Sequence, residues 1–345
     1  MDFSLFYFAN DSGKVGLARY RLLLEGARFA DTHDFAAVWI PERHFHRFGG
    51  QFPNPSVAAA AVAAVTERVA IRAGSVVAPL HNPVRIAEEW SVVDNLSGGR
   101  VGLSFASGWN ANDFVLQPGN YETRKTALAD TVESVRRLWR QEAVPMMNHK
   151  GEKVEVRSYP MPVQLELPFW LTSAGSVETF RQAGNLGGGV LTHLLGQTLG
   201  ELAKKIAVYR QAIADRHGQR GHVALMVHTF LGTSRSEVRS IVERPFSDYL
   251  RSSVELWLRS SEVSEADINP DDLDFMIHNS FDRYFATSGL FGTVDDGLKL
   301  LQALSQVDID EVACLIDFVS DTETVLASLP YLDELRRIWQ NSPSH

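Results

Sequence analysis

Acidic, basic, imidazole and aromatic side chains follow one another at residues 42–46, directly after an apolar run. A histidine at such a place can act as an acid or a base, because its ordinary pKa lies near neutrality. The plainer interpretation is that Glu42 and Arg43 form an ion pair and that His44 caps a loop. The position after a buried run favours catalysis, and we predict Glu42, Arg43 and His44 as catalytic residues.

Small residues and hydroxyls end the next two apolar runs, at residues 74–77 and 104–109. A small side chain at a strand end lets a flat ligand approach the backbone, and an aromatic side chain can line the same opening. A turn followed by a helix cap explains these residues without any ligand. The residues expected to contact a flat cofactor are Gly74, Ser75, Ser104, Ala106, Ser107 and Trp109.

Small residues at 173–176 also precede a predicted helix that begins at Val177. The N-terminus of a helix presents free backbone N–H groups, and its dipole favours negative charge, so this loop suits a phosphate. Arg124 and Lys125 are cations able to reach an anion. A serine cap and solvated cations are the plainer interpretations. The expected phosphate ligands are Arg124, Ser173, Ala174, Gly175 and Ser176.

Two other chemistries have weaker support in the sequence. His44 and His46, together with His193 and Asp317, suggest the metal ligands of barrel hydrolases. However, His46 lies well past its strand, and no lysine or histidine ends the fourth or fifth run, so we expect no metal. The serines that follow the runs lack the G-x-S-x-G spacing of serine hydrolases.

The elements that must position these groups are short β-rich runs alternating with amphipathic helices. Continuous apolar runs are typical of parallel strands buried on both faces. Eight such repeats predict an α/β fold, a (β/α)8 barrel, whose reactive side chains lie at the carboxyl ends of the strands. An open doubly wound sheet is the alternative, but no G-x-G-x-x-G fingerprint supports it. The predicted strands are 3–8, 36–40, 69–77, 101–107, 168–172, 189–193, 223–231 and 312–319.

Helix boundaries and long connections complete the prediction. Asn82 before Pro83 is a cap followed by the proline favoured in a first helical turn. Asp321 should open the last helical region, which Pro330 should interrupt. Residues 232–291 predict a helical insertion before the eighth strand, with helices around 235–259 and 271–285. A polar connection spans 140–167, and we expect a single domain over 1–345.

Composition restricts the class of protein. The chain has 345 residues and a net charge of −9, which argues against non-specific nucleic-acid binding. Its one cysteine excludes an internal disulfide and fits a reducing compartment. The most apolar run has nine residues, at 57–65, against roughly 20 for a membrane span. We therefore expect a cytoplasmic protein without membrane or nucleic-acid partners.

Several long segments, in order along nearly the whole chain, resemble the bacterial luciferase-like monooxygenases, in particular the branch associated with natural-product biosynthesis. These segments are 39–45, 53–56, 72–85, 94–101 and 107–109. The resemblance implies a barrel that uses reduced FMN as a diffusible co-substrate, supplied by a separate flavin reductase. It also implies flavin contacts at the first four strand ends and a phosphate site at 173–176 with Arg124. Family members often have a non-prolyl cis peptide, here near Gly74-Ser75, and often form homodimers.

Two positions depart from the family pattern. Bacterial luciferase has Glu-His-His where this chain has Glu42-Arg43-His44, which argues against light emission from an aldehyde. An arginine is no general base, but it can stabilise a peroxide or hold an anionic substrate. Asn110 stands where this branch often has histidine after Ser-Gly-Trp.

The predicted function is an FMN-dependent monooxygenase that oxygenates a small organic or carrier-tethered substrate. The alternatives are a deazaflavin-dependent oxidoreductase on the same barrel, a metal-dependent barrel hydrolase and a non-catalytic flavin-binding protein. Pairing of two subunits through the alanine-rich helix at 57–65 would give the homodimer.

Overall fold

Eight parallel strands close into a barrel in the computed structural model, which describes residues 1–8, 13, 15–260 and 270–342. The ring runs β1, β2, β3, β4, β7, β8, β9, β11 and back to β1. This confirms the predicted (β/α)8 barrel. The strands are β1 Asp2–Phe6, β2 Ala37–Ile40, β3 Ala70–Val77, β4 Val101–Ala106, β5 Val144–Met147, β6 Lys153–Val156, β7 Phe169–Thr172, β8 Gly189–His193, β9 Val223–Leu231, β10 Leu290–Gly292 and β11 Glu311–Leu315.

The apolar runs form strands because both of their faces are covered. All nine residues of β9 are buried, as are all four of β2. The barrel interior is filled by large side chains, and Trp39 packs edge-on against Trp170 at 5.1 Å between ring centroids. Helices cover the outer faces, so the continuous hydrophobic pattern is satisfied without alternation.

Ten α-helices surround the barrel within the described residues. In α3 the side chain of Asn82 accepts a hydrogen bond from Val84 N–H, and Gly98 ends the helix with φ of 71°. The predicted cap at Asn82 is therefore confirmed, with Pro83 in the first turn of the helix. The helices are α1 Leu17–Thr32, α2 Pro55–Ala63, α3 Pro83–Ser97, α4 Leu128–Trp139, α5 Val177–Leu186, α6 Leu199–His217, α7 Arg235–Ser260, α8 Pro270–Thr287, α9 Val294–Gln306 and α10 Thr322–Asn341.

The insertion before the last barrel strand contains α7 and α8, as predicted; its residues 261–269 lie outside the described part of the chain. The sequence did not indicate β10. This short strand pairs in parallel with the end of β9, with Leu290 opposite Thr229. The predicted break at Pro330 is wrong, because α10 runs through it. Its buried stripe, which includes Leu329 and Leu332, continues past the proline, and packing outweighs the lost backbone hydrogen bond.

The connection at 140–167 is more ordered than its polar sequence suggested. It contains the antiparallel hairpin β5–β6, whose turn is closed by Asn148 Oδ1 accepting from Lys150 N–H at 2.8 Å. None of the helices in the described residues has an apolar stretch of the length that a bilayer crossing requires.

Candidate active site

A buried carboxylate, that of Glu42, forms three hydrogen bonds at the carboxyl end of the barrel. Its Oε1 lies 2.8 Å from His44 Nε2 and 2.6 Å from His81 Nε2, and its Oε2 accepts from Val77 N–H at 2.7 Å. Glu42 and His44 follow β2, whereas Val77 and His81 lie at and after the end of β3. Adjacent parallel strands thus bring the two loops together. His81 was missed as a site residue, although it comes only four residues after the end of β3.

The pKa values of this group follow from its burial and its hydrogen bonds. Burial opposes the charged form of Glu42, but the bonds from His44, His81 and Val77 outweigh it and hold the pKa of Glu42 below its usual value. Burial likewise lowers the pKa of His81, yet the Glu42 carboxylate raises it overall. The site therefore holds an ionised carboxylate beside an imidazole that takes a proton readily.

Arg43 points away from Glu42 and pairs with a different acid. Its Nη1 donates to Asp113 Oδ2 at 3.2 Å, and its Cζ lies 4.9 Å from the centre of the Trp109 ring. Asn110 Nδ2 donates to the other Asp113 oxygen at 2.7 Å. The plainer interpretation of a Glu42–Arg43 ion pair is therefore wrong. Sequence reasoning missed Asp113, for which the spacing of three residues after Asn110 was the available signal.

The predicted flavin contacts on β3 and β4 form part of a hydroxyl chain. Thr172 Oγ1, at the end of β7, bonds to Ser75 Oγ and lies 2.6 Å from Ser104 Oγ. The peptide bond between Gly74 and Ser75 is cis, where the family resemblance placed it. A Cβ on Gly74 would lie 2.7 Å from the Phe6 ring, so core packing alone requires glycine there. Ala106, the last residue of β4, and Ser107, which follows it, are half-buried.

The loop at 173–176 lies at the N-terminus of α5. Ser176 Oγ accepts from Thr179 N–H and caps α5, while Ala174, Gly175 and Ser176 are exposed. Ser173 is buried, and its hydroxyl donates to Ser176 O at 3.3 Å. We refer to residues 173–176 as the α5 cradle.

A lysine from the next helix stands beside the α5 cradle. Lys205 Nζ lies 3.5 Å from the point that a Cβ on Gly175 would occupy, and it donates to Gln197 Oε1 at 2.8 Å. Arg124 instead lies 3.9 Å from the centre of the Tyr121 ring and donates to Tyr121 O. The structure thus brings Lys205 to the cradle. Sequence reasoning missed this residue, because only the packing of α6 on α5 places it there.

The residues weighed as metal ligands serve other contacts. His46 Nδ1 accepts from Phe48 N–H, and Asp317 accepts from Phe8 N–H at 2.8 Å and 3.0 Å. Burial lowers the pKa of His193 to about 4. Across the described ranges, no three His, Cys, Asp or Glu side chains are grouped so as to hold a metal ion.

The insertion packs an aromatic cluster against the barrel mouth. His228 on β9 bonds through Nδ1 to Tyr284 OH at 3.1 Å and meets the Tyr249 ring edge-on at 4.5 Å. Burial keeps the pKa of His228 well below its ordinary value. Tyr249 also contacts Phe48, in the loop after β2, at 4.7 Å. The insertion therefore covers one side of the mouth with aromatic rings.

A (β/α)8 barrel with ionisable groups gathered at the carboxyl end of its strands has the architecture of an enzyme. Residues 1–281 match the family of luciferase-like monooxygenases, so the chain belongs to that family. The class predicted from the sequence, a flavin-dependent monooxygenase, is confirmed.

Two curated relatives differ in the cofactor that their names give. The oxygenase component of the flavin-dependent trigonelline monooxygenase of Acinetobacter baylyi is 23% identical over 321 residues, covering 90% of this chain and 87% of that protein. The F420-dependent glucose-6-phosphate dehydrogenase of Amycolatopsis mediterranei is 30% identical over 179 residues, 50% of this chain and 53% of that protein. Sequence similarity thus reaches both flavin and deazaflavin enzymes.

Two crystal structures share the whole fold. Monooxygenase RslO1 from Streptomyces bottropensis superposes with a TM-score of 0.84 at 18% identity, covering 99% of this chain and 100% of that one. The oxygenating constituent of 3,6-diketocamphane monooxygenase from Pseudomonas putida, in complex with FMN, gives a TM-score of 0.76 at 16% identity, with 97% of each chain covered.

Proposed function

We propose that this protein is an FMN-dependent monooxygenase that uses reduced FMN and oxygen to oxygenate a small organic or carrier-tethered substrate. The observation that carries this proposal is the buried Glu42 carboxylate, which holds two imidazoles on one oxygen at the barrel mouth. Reduced FMN, when bound, would supply the electrons that activate oxygen. The chain's own part is to exclude water and to move protons beside the reacting atoms.

The α5 cradle supports FMN as the cofactor. Its exposed backbone at residues 174–176 lies at a helix N-terminus, and Lys205 adds a positive charge, so a single phosphate fits there. Arg124 remains a proposed contact of the FMN phosphate, because it lies in the connection after β4. Gly74, Ser75, Ser104, Ala106, Ser107 and Trp109 would line the ring system.

The proposed proton path uses His44, with Glu42 as its partner. An imidazole hydrogen-bonded to an ionised carboxylate can give up and regain a proton at its other nitrogen, while the carboxylate fixes the orientation of the ring. His81 bonds to the same oxygen of Glu42. By taking or releasing a proton, His81 would change the net charge of the cluster formed with Glu42 and His44. Arg43 would stabilise negative charge nearby.

The wider setting of the enzyme follows from this chemistry. A diffusible reduced flavin needs a separate flavin reductase that produces it, so we propose a flavin reductase as partner. We also propose that the enzyme works in the reducing cytoplasm, where reduced flavin is made. The relative named an oxygenase component and the neighbour named an oxygenating constituent support a two-component system. Hydroxylation at carbon or nitrogen and Baeyer–Villiger insertion are all compatible with this chemistry. We place the reaction in secondary metabolism.

The surface beside β2 to β4 supports a homodimer. α2 begins two residues before the predicted range, because Asn54 caps it, and it carries four alanines in succession. Exposed apolar side chains continue from it across α3 and the segment before β7. These side chains are Val57, Val92, Leu96, Met161, Val163 and Leu165. Light scattering across a dilution series should give twice the 38.4 kDa subunit mass, and a constant single mass would contradict the dimer.

Anaerobic titration with reduced FMN, reduced F420 and reduced FAD tests the cofactor. Reduced FMN should bind most tightly. Gly175→Asp should weaken it by about tenfold or more, because the new carboxylate repels the phosphate. Gly119→Asp is the matched control, since Gly119 is also exposed with open space around its Cβ position. Equal affinity of wild type and Gly175→Asp would reject the cradle, and tighter binding of F420 would reject FMN.

Oxygen consumption with reduced FMN separates an enzyme from a flavin-binding protein. The proposal expects retention of the flavin until a substrate is oxygenated, with little peroxide released. Peroxide equal to the oxygen consumed, for every substrate offered, would favour a protein that only binds flavin.

A further inference from the structure

Arg43 presents two buried donors that no acceptor uses. Its Nη1 donates to Asp113, whereas Nε and Nη2 are buried and have no hydrogen-bond partner among the described residues. A guanidinium is planar, and its Nε–H and the Nη–H on the same side point in one direction. The unused donors Nε and Nη2 therefore form one edge, the fork edge, with the geometry that a carboxylate accepts through both oxygens.

The side chain is fixed in this position. Only 5% of Arg43 is exposed, and the Trp109 ring covers one face of the guanidinium. A Cβ on Gly49 would lie 3.0 Å from Arg43 Cγ, so glycine leaves the stem of the side chain its space. The charge cannot turn out to water. A buried charge with unused donors is costly, and an anion on the fork edge would offset that cost.

The neighbouring acids are already engaged. Both oxygens of Glu42 accept hydrogen bonds from His44, His81 and the Val77 backbone. Asp113 is shared between Arg43 and Asn110. The fork edge therefore has to be satisfied from outside this network.

Aromatic rings also surround Arg43. Phe8 packs against Phe48 at 5.1 Å, and Phe48 packs against Tyr249 at 4.7 Å. The same Phe8 ring lies 3.1 Å from the Cβ position of Gly49, beside the Arg43 stem. With Trp109 over the guanidinium and Phe8 beside its stem, an anion on the fork edge would meet aromatic surface, which favours a charge carried on an apolar or aromatic body.

We propose that the fork edge of Arg43 binds the carboxylate of an acidic substrate with an apolar or aromatic body. This inference rests on the proposed monooxygenase function, for which it names the substrate class. The chemistry recognised is a planar anion with two adjacent acceptor atoms. The pyrimidine edge of a reduced flavin anion has the same chemistry, and the experiment separates the two sources.

The test observes the Nε–H signals of arginine by NMR in the full-length 15N-labelled protein. Benzoate is the probe, and benzamide is its neutral counterpart. Benzoate should shift one Nε–H signal, which Arg43→Lys lacks, and should bind at least tenfold more tightly than benzamide. Arg43→Gln should reduce benzoate affinity at least tenfold, whereas Arg85→Gln, which removes an exposed arginine from α3, should not change it.

Reduced FMN, added anaerobically without benzoate, is the second arm. If the same signal moves with reduced FMN and not with benzoate, the fork edge serves the flavin and the substrate proposal is overturned. If benzoate moves no Nε–H signal, the proposal is overturned as well. The wild-type titration needs no variant, so a folding defect of Arg43→Gln would not obscure the result. Failure of reduced FMN to bind, with benzoate still on Arg43, would reject the proposed function alone.

Discussion

Glu42 and Glu311 are two fully buried carboxylates at opposite ends of one barrel, and they differ in what surrounds them. Glu311 is the first residue of β11, so it lies at the amino end of the strands. Its Oε2 lies 2.6 Å from Arg72 Nη1, and its Oε1 accepts from Ser4 Oγ and Trp39 Nε1. Arg72 in turn lies between two indoles, 4.9 Å from Trp39 and 4.6 Å from Trp170.

Both carboxylates are kept ionised, but by partners of different kinds. Burial would raise the pKa of Glu311, and Arg72 with the neighbouring donors lowers it instead. The partners of Glu42 include the imidazoles of His44 and His81, and the carboxylate raises the pKa of His81. A fixed cation suits stability, whereas titratable partners suit proton transfer. The contrast agrees with the division of barrels into a stabilising amino end and a reactive carboxyl end.

The largest effect should come from removing the charge of Glu311. Glu311→Gln leaves the half-buried Arg72 without its counter-charge, and breaking a buried pair costs about 3–5 kcal/mol. Glu42→Gln should cost clearly less, because its histidine partners can become neutral. Urea unfolding followed by circular dichroism measures both variants.

A control for Glu311→Gln is Glu25→Gln, which removes an exposed partner of Arg21 and should leave the stability almost unchanged. If Glu311→Gln were as stable as wild type while Glu42→Gln unfolded, the division between the two ends would be wrong.

The same contrast shows what the sequence could reveal. The eight barrel strands were predictable because continuous apolar runs have one simple solution, a parallel sheet covered on both faces. Glu42 and His44 were predictable because strand ends meet at one opening. Glu311 was not, since a lone acidic residue before a buried run shows nothing of Arg72, 239 positions away. Lys205 was missed for the same reason, because only the packing of α6 on α5 brings it to its site.

Local patterns misled where packing overruled them. Pro330 reads as a helix breaker, but the buried face of α10 continues across it. The polar connection at 140–167 reads as irregular, yet its two strands satisfy each other's backbone groups in a hairpin.

The next largest effect should be on catalysis by His44. His44→Ala should lower product formation by about 10²-fold or more, the usual scale for losing a proton-transfer group. Reduced-FMN affinity should stay within a few-fold, because the α5 cradle would hold the phosphate across the mouth. Stopped-flow oxidation of bound reduced FMN, with product and peroxide both measured, is the experiment. His149→Ala, an exposed histidine in the β5–β6 turn, is the control. Product and peroxide yields equal to wild type would make His44 a structural residue.

The smallest effect should be a pH dependence that appears at one carboxylate and not at the other. Glu42 raises the pKa of His81 above its ordinary value of 6.5, so the protonated imidazole stabilises the folded state. That contribution is complete below the unfolded pKa and is lost as the pH rises through the folded pKa. The free-energy difference between wild type and His81→Gln should therefore fall by on the order of 0.5 kcal/mol between about pH 6.5 and about pH 9.

The difference between wild type and Glu311→Gln should stay constant over the same range. A guanidinium keeps its charge there, and burial lowers the pKa of His222, the imidazole beside Glu311, which favours its neutral form over this range. The lowered pKa of Glu311 means that its contribution is lost only in acid, as the pH falls through that folded value. Unfolding curves at several pH values would give both differences from one set of samples. A flat profile for His81→Gln, or a sloping one for Glu311→Gln, would show that titratable partners do not distinguish the two ends of the barrel.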